Sequence, residues 1–231
     1  MLSIVNCQID GHSGLELFSI DDYASVADLF VPIQAATDDP DILKPDHRLR
    51  YATCAGCANN CCRRYAIMPD WLTVQALCSS WQMNLQSFTK KYLRLEQDQT
   101  FAEFKGRRCP FLDLQSNLCN IYFQRPAFCR FYLCTPSGEK LEKLKSQVLL
   151  LGEIALSQHL VSAGLGSVTW QRMAARNHEL FDKPHSNPFN TAIEYENIIL
   201  RDCCSDRLWD WLQTPIEQTQ GQTYQQWLAI K

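Results

Sequence analysis

Eight of the twelve cysteines of this 231-residue chain lie between Cys54 and Cys134, in short runs. The stretch CAGCANNCC supplies Cys54, Cys57, Cys61 and Cys62, CPFLDLQSNLC supplies Cys109 and Cys119, and CRFYLC supplies Cys129 and Cys134. Thiols at such spacings converge on a soft metal. An all-sulfur donor set points to zinc, an iron–sulfur cluster or Cu(I), and away from magnesium, calcium and non-haem iron oxygenase chemistry. Cys54 and Cys57, two residues apart with Gly56 between them to relax the turn, can both face one ion. Cys61 and Cys62 are adjacent, so their side chains diverge; either one of them is a spare or there are two centres. None of the five histidines, His12, His47, His159, His178 and His185, falls inside the cluster.

The choice of metal is open on spacing alone. Iron–sulfur ligation commonly takes three cysteines from a tight run and one remote, which Cys54, Cys57 and Cys61 or Cys62 with a later cysteine would satisfy. Paired knuckles such as Cys54 with Cys57 and Cys129 with Cys134 serve zinc equally well. The tight run favours iron–sulfur by a small margin.

Composition and charge set the surroundings. The chain is 46% hydrophobic and 20% charged, as in globular proteins, and long enough to bury a core without metal or disulfides. Its N-terminus lacks the basic and apolar regions of a secretory signal, and its longest aliphatic run, Val148 to Leu151, is too short to span a bilayer. A cytoplasmic protein is expected, with no membrane association, and thiols there stay reduced. The net charge of -3 is partitioned: residues 1–47 carry -8, residues 48–134 carry +7 and residues 135–231 carry -2. The positive block coincides with the cysteines, so Arg63, Arg64, Arg107, Arg108, Arg125 and Arg130 would offset thiolate charge. A nucleic-acid surface is the disfavoured alternative, because the acidic N-terminal third would repel a polyanion.

Three zones must position these residues. Residues 1–50 form an acidic segment packed on the core, in which DDYASVADLFVPIQAA reads as a helix capped by Asp21, with Tyr23, Val26 or Ala27, and Phe30 on one face. Residues 51–135 form the cysteine-cluster domain. There RRYAIM reads as a short strand, and Pro69 and Asp70 open a helix to about Gln82 with Trp71, Val74, Leu77 or Cys78, and Trp81 on one face. A second helix follows near Gln86 to Leu95, and residues 100–122 read as a hairpin turning at Gln115–Asn117 that brings Cys109 and Cys119 together. Residues 136–231 are helical, led by a long amphipathic helix with Leu141, Leu144, Val148, Leu151 and Ala155 at steps of three and four. The fold class is α+β, mostly helical, with a small β-hairpin carrying a cysteine metal site. Tyr122, Phe123, Phe128, Phe131 and Tyr132 read as core and a water-excluding shell. Cys7, Cys78, Cys203 and Cys204 read as ordinary apolar or surface thiols, with a vicinal redox pair at 203–204 the minor alternative.

The arrangement CAGCANNCC, then RRCPFLD and LCNIYFQRPAFCRFYLC, resembles the CxxCxxCC (YkgJ-like) cysteine-cluster family, whose members are described as zinc- or iron-chelating. The match spans about residues 54–134 and departs from the family pattern by placing three residues, Ala58, Asn59 and Asn60, between Cys57 and the Cys61–Cys62 pair. The resemblance implies a metal-chelating module. One relative, the flagellin lysine methylase, is an enzyme, so methyl transfer enters as an alternative.

Arg125 and Arg130 flank Cys129 and could donate to a thiolate or bound sulfide, or Arg125 could pair with an acid such as Asp113. The function expected is therefore a cysteine-ligated metal-binding module for chelation, assembly or redox work, with an iron–sulfur cluster or Zn2+ as cofactor and another protein as partner. The alternatives are a metal-dependent enzyme of redox or methyl-transfer type using the same centre, and a zinc-stabilised docking scaffold. No catalytic residue is identifiable, since P-loop, G-x-S-x-G and H-E-x-x-H patterns are absent from the sequence.

Overall fold

The computed structural model of the chain describes residues 1–38, 61–63, 65–96, 101–132, 136–176, 186–219 and 222–229. It opens on an antiparallel hairpin that the sequence reading passed over, β1 (Leu2–Ile9) and β2 (His12–Ile20). The turn is Asp10-Gly11 with both φ angles positive, 51° and 80°, the pair that a two-residue turn matching strand twist requires. Leu15 and Leu17 alternate inward with Phe18 to solvent, and a register shift between Ser3 and Ile4 changes the phase so that Ile20 instead of Ser19 turns in next.

Helix α1 (Val26–Asp38) starts later than the expected Asp21 cap. Ser25 and Asp28 form a reciprocal cap instead: the Asp28 N–H donates to Ser25 Oγ (3.1 Å) and the Ser25 N–H to Asp28 Oδ2 (2.8 Å). Asp21 accepts from the Tyr23 N–H and from the terminal ammonium group, and Tyr23 is exposed, outside the helix. Val26, Leu29, Phe30, Ile33 and Ala36 form the buried stripe.

Helix α2 (Trp71–Ser80) begins where expected, capped by Asp70, and α3 (Leu85–Tyr92) is capped by Asn84. Of the expected strand at Arg63–Met68, Arg63 ends a 3-10 turn, Arg64 lies outside the described residues and residues 65–68 are irregular, with Ile67 O accepting from the Phe104 N–H (2.9 Å). The expected hairpin over residues 100–122 is much reduced. Its first arm contributes β4 (Glu103–Phe104), which pairs with β3 (Leu93–Arg94), and its second part closes through one bridge between Leu112 and Cys119. A short helix α4 (Ala127–Phe131) follows, then the long α5 (Glu139–Ser162), with all five predicted core residues of α5 buried. Helices α6 (Val168–Arg176), α7 (Asp206–Gln213), α8 (Ile216–Thr219) and α9 (Tyr224–Leu228) complete the described chain. The α+β class holds, helix-rich with small antiparallel sheets.

Buried apolar side chains form two clusters, and α5 threads both. Leu141, Leu144, Val148, Leu151 and Ala155 pack with the hairpin, α1, α4 and the C-terminal helices. Leu156 and Leu160 pack with Ile67, Val74, Leu77, Phe88, Phe104, Phe111 and Trp170. Cys203 and Cys204 sit in the first cluster as buried apolar thiols.

Two helix starts are capped from far along the chain. Glu16 Oε1 on β2 accepts the Leu141 N–H at the start of α5 (3.0 Å), where Gly138 offers no side-chain cap. A Cβ on Gly138 would lie 1.9 Å from Glu16 Oε2, so only glycine admits that approach. Asp70 does the same for α4, as described below. Beside Asp70, Gly152 and Glu153 of α5 close the junction with α2.

That junction yields two testable consequences. A Cβ at Gly152 would meet Asp70 Cβ at 2.7 Å and the Phe189 ring at 3.1 Å, so Gly152→Ala should destabilise by about 1–3 kcal/mol in chemical denaturation. Burial, with the neighbouring Asp70 carboxylate adding to it, raises the Glu153 carboxyl from 4.5 to about 8. The folded state therefore holds a proton that the unfolded chain releases, and stability from this group falls as pH rises from about 4.5 to about 8. Glu153→Gln should match wild type at pH 4 and exceed it by roughly 2–4 kcal/mol at pH 9, each pH unit in the window being worth about 1.36 kcal/mol. An unchanged difference between the two proteins across that range would contradict the assignment.

Candidate metal centre

Among the eight candidate ligands, Cys62, Cys109, Cys119 and Cys129 have described side chains. Cys54, Cys57 and Cys134 lie outside the described residues, and of Cys61 only the backbone is described. The four described thiols come from separate pieces of chain: a single 3-10 turn (Cys61–Arg63), the two ends of the 109–119 loop, and α4. Backbone pairing explains how they meet. The Cys109 N–H donates to Cys62 O (2.8 Å), tying the first run to the loop. The Arg63 guanidinium donates to Asn117 Oδ1 from Nη2 (2.8 Å) and Nε (3.2 Å), fastening the same turn to the loop tip.

The loop closes differently from the expected face-to-face hairpin. Cys119 bridges Leu112, the Asn120 N–H donates to Phe111 O, and the Asp113 N–H donates to Leu118 O, with Asn117 at a φ of 62° making the reversal. Asp113 accepts from the Gln115 and Ser116 N–H groups (2.7 and 3.1 Å), and these bonds hold its carboxyl below the ordinary range. It is a turn residue, not the partner of Arg125.

The four thiols share one electrostatic environment. Burial pushes the Cys109 thiol up to about 12, and Cys62 and Cys119 raise it further. Burial raises Cys119, with Cys62 adding to the effect and the Ile121 N–H and Arg125 opposing it. Cys129 is raised well above the ordinary thiol range, first by burial and then by Cys62, Cys109 and Cys119, with Arg125 opposing. Each of the four thus feels the other three. Such a group favours protonated thiols until a cation enters, when the same convergence becomes a soft donor set. As they stand, no three His, Cys, Asp or Glu side chains among the described residues are close enough together to hold a metal ion. The donor type and its partial burial fit a thiophilic metal.

Arg125 and Arg130 are fixed mainly by backbone and rings. Arg125 donates from Nε to Tyr122 O (3.0 Å) and from Nη2 to Gln34 Oε1 (2.5 Å), and lies 3.8 Å from the Tyr122 ring centroid. Its charge reaches Cys119 and Cys129. Arg130 donates to Arg125 O (3.0 Å) and Phe123 O (2.8 Å) and lies over Phe30 and Tyr195. Of the aromatics expected to exclude water, Phe131 is buried and Tyr122, Phe128 and Tyr132 are half-buried, but Phe123 is 89% exposed. It faces solvent because the 3-10 turn Tyr122–Gln124 presents its outer side there.

Cys7 and Cys78 stand apart. Cys7 lies on β1, its thiol raised by burial and by Glu16, and Cys78 lies on α2, raised by burial to about 11.

Asp70 is the residue near this site that sequence reasoning saw only as a helix opener. Its carboxylate is buried and accepts four hydrogen bonds. Oδ1 takes the Thr73 N–H (3.0 Å) and the Tyr195 hydroxyl (2.8 Å), and Oδ2 takes the Thr73 hydroxyl (2.9 Å) and the Ala127 N–H (2.9 Å). Its signal in the sequence was the Pro-Asp pair before a helix, which announces a cap but not a second client.

No described helix is long and apolar enough to cross a membrane. No solved structure matches the chain. Residues 53–148, under half of the chain but including all eight clustered cysteines, match the CxxCxxCC family, described as "Putative zinc- or iron-chelating domain".

Proposed function

We propose that the chain is a cysteine-ligated metal-binding module, with an iron–sulfur cluster as its metal in preference to zinc, acting in chelation, assembly or redox work with another protein as partner. The observation that carries the metal reading is the convergence of Cys62, Cys109, Cys119 and Cys129, four half-buried thiols brought within electrostatic reach of one another, with the Cys109 N–H bonded to Cys62 O. Burying like groups together raises the free energy of their ionised forms, and a bound cation reverses the sign of that effect. The match of residues 53–148 to a zinc- or iron-chelating family supports the same chemistry. The preference for iron–sulfur rests on the run of Cys54, Cys57 and Cys61 or Cys62, three thiols close in sequence with the remaining donors remote.

In this reading the protein supplies thiolates, a water-poor wall and the Arg125 charge near two sulfurs. A metal held by these thiolates would supply electron-transfer capacity as an iron–sulfur cluster, or a structural cross-link as zinc.

Protein purified without oxygen decides between them. A brown product with stoichiometric iron and acid-labile sulfide is expected, whereas a colourless product with stoichiometric zinc would replace iron–sulfur by zinc. Absence of both metals would end the metal reading. Cys54→Ser, Cys57→Ser and Cys109→Ser should each lower bound metal to about a tenth of wild type or less. Cys7→Ser and Cys78→Ser should leave metal content unchanged.

A further inference from the structure

We infer that Asp70 is a positioning residue for the metal centre, holding the Cys129 thiol in place by capping the helix that carries it. The inference deepens the metal reading and rests on it.

Helix α4 is only five residues long, and Cys129 is its third residue. A helix this short does not hold itself together in water, since nucleation costs more than so few bonds return. Its cap position is Pro126, which makes no side-chain cap bond. The missing acceptor comes from 57 residues earlier: Asp70 Oδ2 takes the Ala127 N–H at 2.9 Å, in a buried setting. The other oxygen caps α2 through the Thr73 N–H at 3.0 Å. One carboxylate thus fixes the start of α4 against the start of α2, and the Cys129 N–H closes the first turn on Pro126 O (2.9 Å). Tyr195 and the Thr73 hydroxyl lock the carboxylate's rotation from the far side. The rest of the thiol group hangs on a loop and a single turn, so α4 is the element through which the folded body sets a ligand's place.

Asparagine at position 70 keeps the size but presents an NH2 where one of these donors needs an acceptor. Asp70→Asn is therefore expected to weaken Co(II) binding by the full chain about tenfold or more, the usual effect of disturbing a ligand's support, and to change the Co(II) ligand-field bands. Tyr195→Phe removes one bond to the same carboxylate and leaves the Ala127 contact intact. It should lower stability while keeping the wild-type Co(II) spectrum and affinity. Ala127→Pro removes the single N–H at a first-turn position that proline tolerates, and leaves the α2 cap in place. It should reproduce the Asp70→Asn spectrum, and keeps the question answerable if Asp70→Asn does not fold.

Metal-free protein gives a second readout. The labelling rate of Cys129, relative to that of Cys203, should rise about tenfold or more in Asp70→Asn and Ala127→Pro but not in Tyr195→Phe, each site followed by mass spectrometry. If wild type binds no Co(II), zinc or iron, the metal reading fails, and the labelling ratio still judges the positioning of Cys129. Wild-type Co(II) spectra and labelling ratios in Asp70→Asn or Ala127→Pro, or changes in all three variants that simply follow lost stability, would overturn the role of Asp70.

Discussion

A single buried carboxylate joins the parts of this protein. Asp70 accepts four hydrogen bonds from α2, from the first residue of α4 and from Tyr195, with α5 packed closely against it through Gly152. Removing a carboxylate from water is costly unless its lone pairs are filled, and here four donors fill them. The donors are the orphan N–H groups of two helix starts and two hydroxyls, groups that would be costly to bury unpaired. The interaction thus satisfies two burial problems with one side chain, and it does so at the place where the two apolar clusters adjoin.

Glu16 applies the same logic at the other end of α5. It accepts from Leu141 and from its own strand neighbour Leu17, and burial raises its carboxyl despite those bonds. Both cases replace a local cap with a distant one. A local cap fixes only where a helix begins; a distant cap also fixes what the helix begins against. That difference matters for α4, which carries Cys129, one of the four thiols of the proposed centre.

Much of the fold was legible where it depends on neighbours in sequence. The three-and-four spacing of Leu141, Leu144, Val148, Leu151 and Ala155 reports a helix face directly, and all five are buried. Asp70 was readable as a helix start from its own neighbours, whereas the second helix, expected near Gln86 to Leu95, runs from Leu85 to Tyr92 behind the Asn84 cap. The N-terminal hairpin, absent from the sequence expectations, has its local signal in Asp10-Gly11 between alternating residues. The region from Thr100 to Tyr122 looked like strands because its aromatic and aliphatic residues favour them. The backbone hydrogen bonds went instead to Ile67, Cys62 and a tight turn. Arg125 illustrates the remaining limit. Its nearest acid in sequence, Asp113, is spent on its own turn, and the partner proved to be Gln34, 91 residues away. The cysteines announced their chemistry by type and spacing, while the contacts that assemble them, Cys109 on Cys62 and Ala127 on Asp70, link positions whose pairing no local pattern encodes.

The elements that carry the thiols are all too short to hold a shape alone: one 3-10 turn, a loop closed by one bridge, and a five-residue helix. Regular structure of that length gains little from its own hydrogen bonds, so the order of the site must be imported. Two sources are available. The folded body supplies fasteners, Asp70 on α4 and the backbone link from Cys109 to Cys62. In the proposed reading a bound cation would supply the other, because it would favour the thiolate forms that burial disfavours. Among the described residues the sulfurs influence one another, yet no three His, Cys, Asp or Glu side chains stand close enough to hold a metal ion. The Cys109–Cys62 backbone link and the Asp70 cap on α4 set these short elements near one another, which is the arrangement the proposed centre would need.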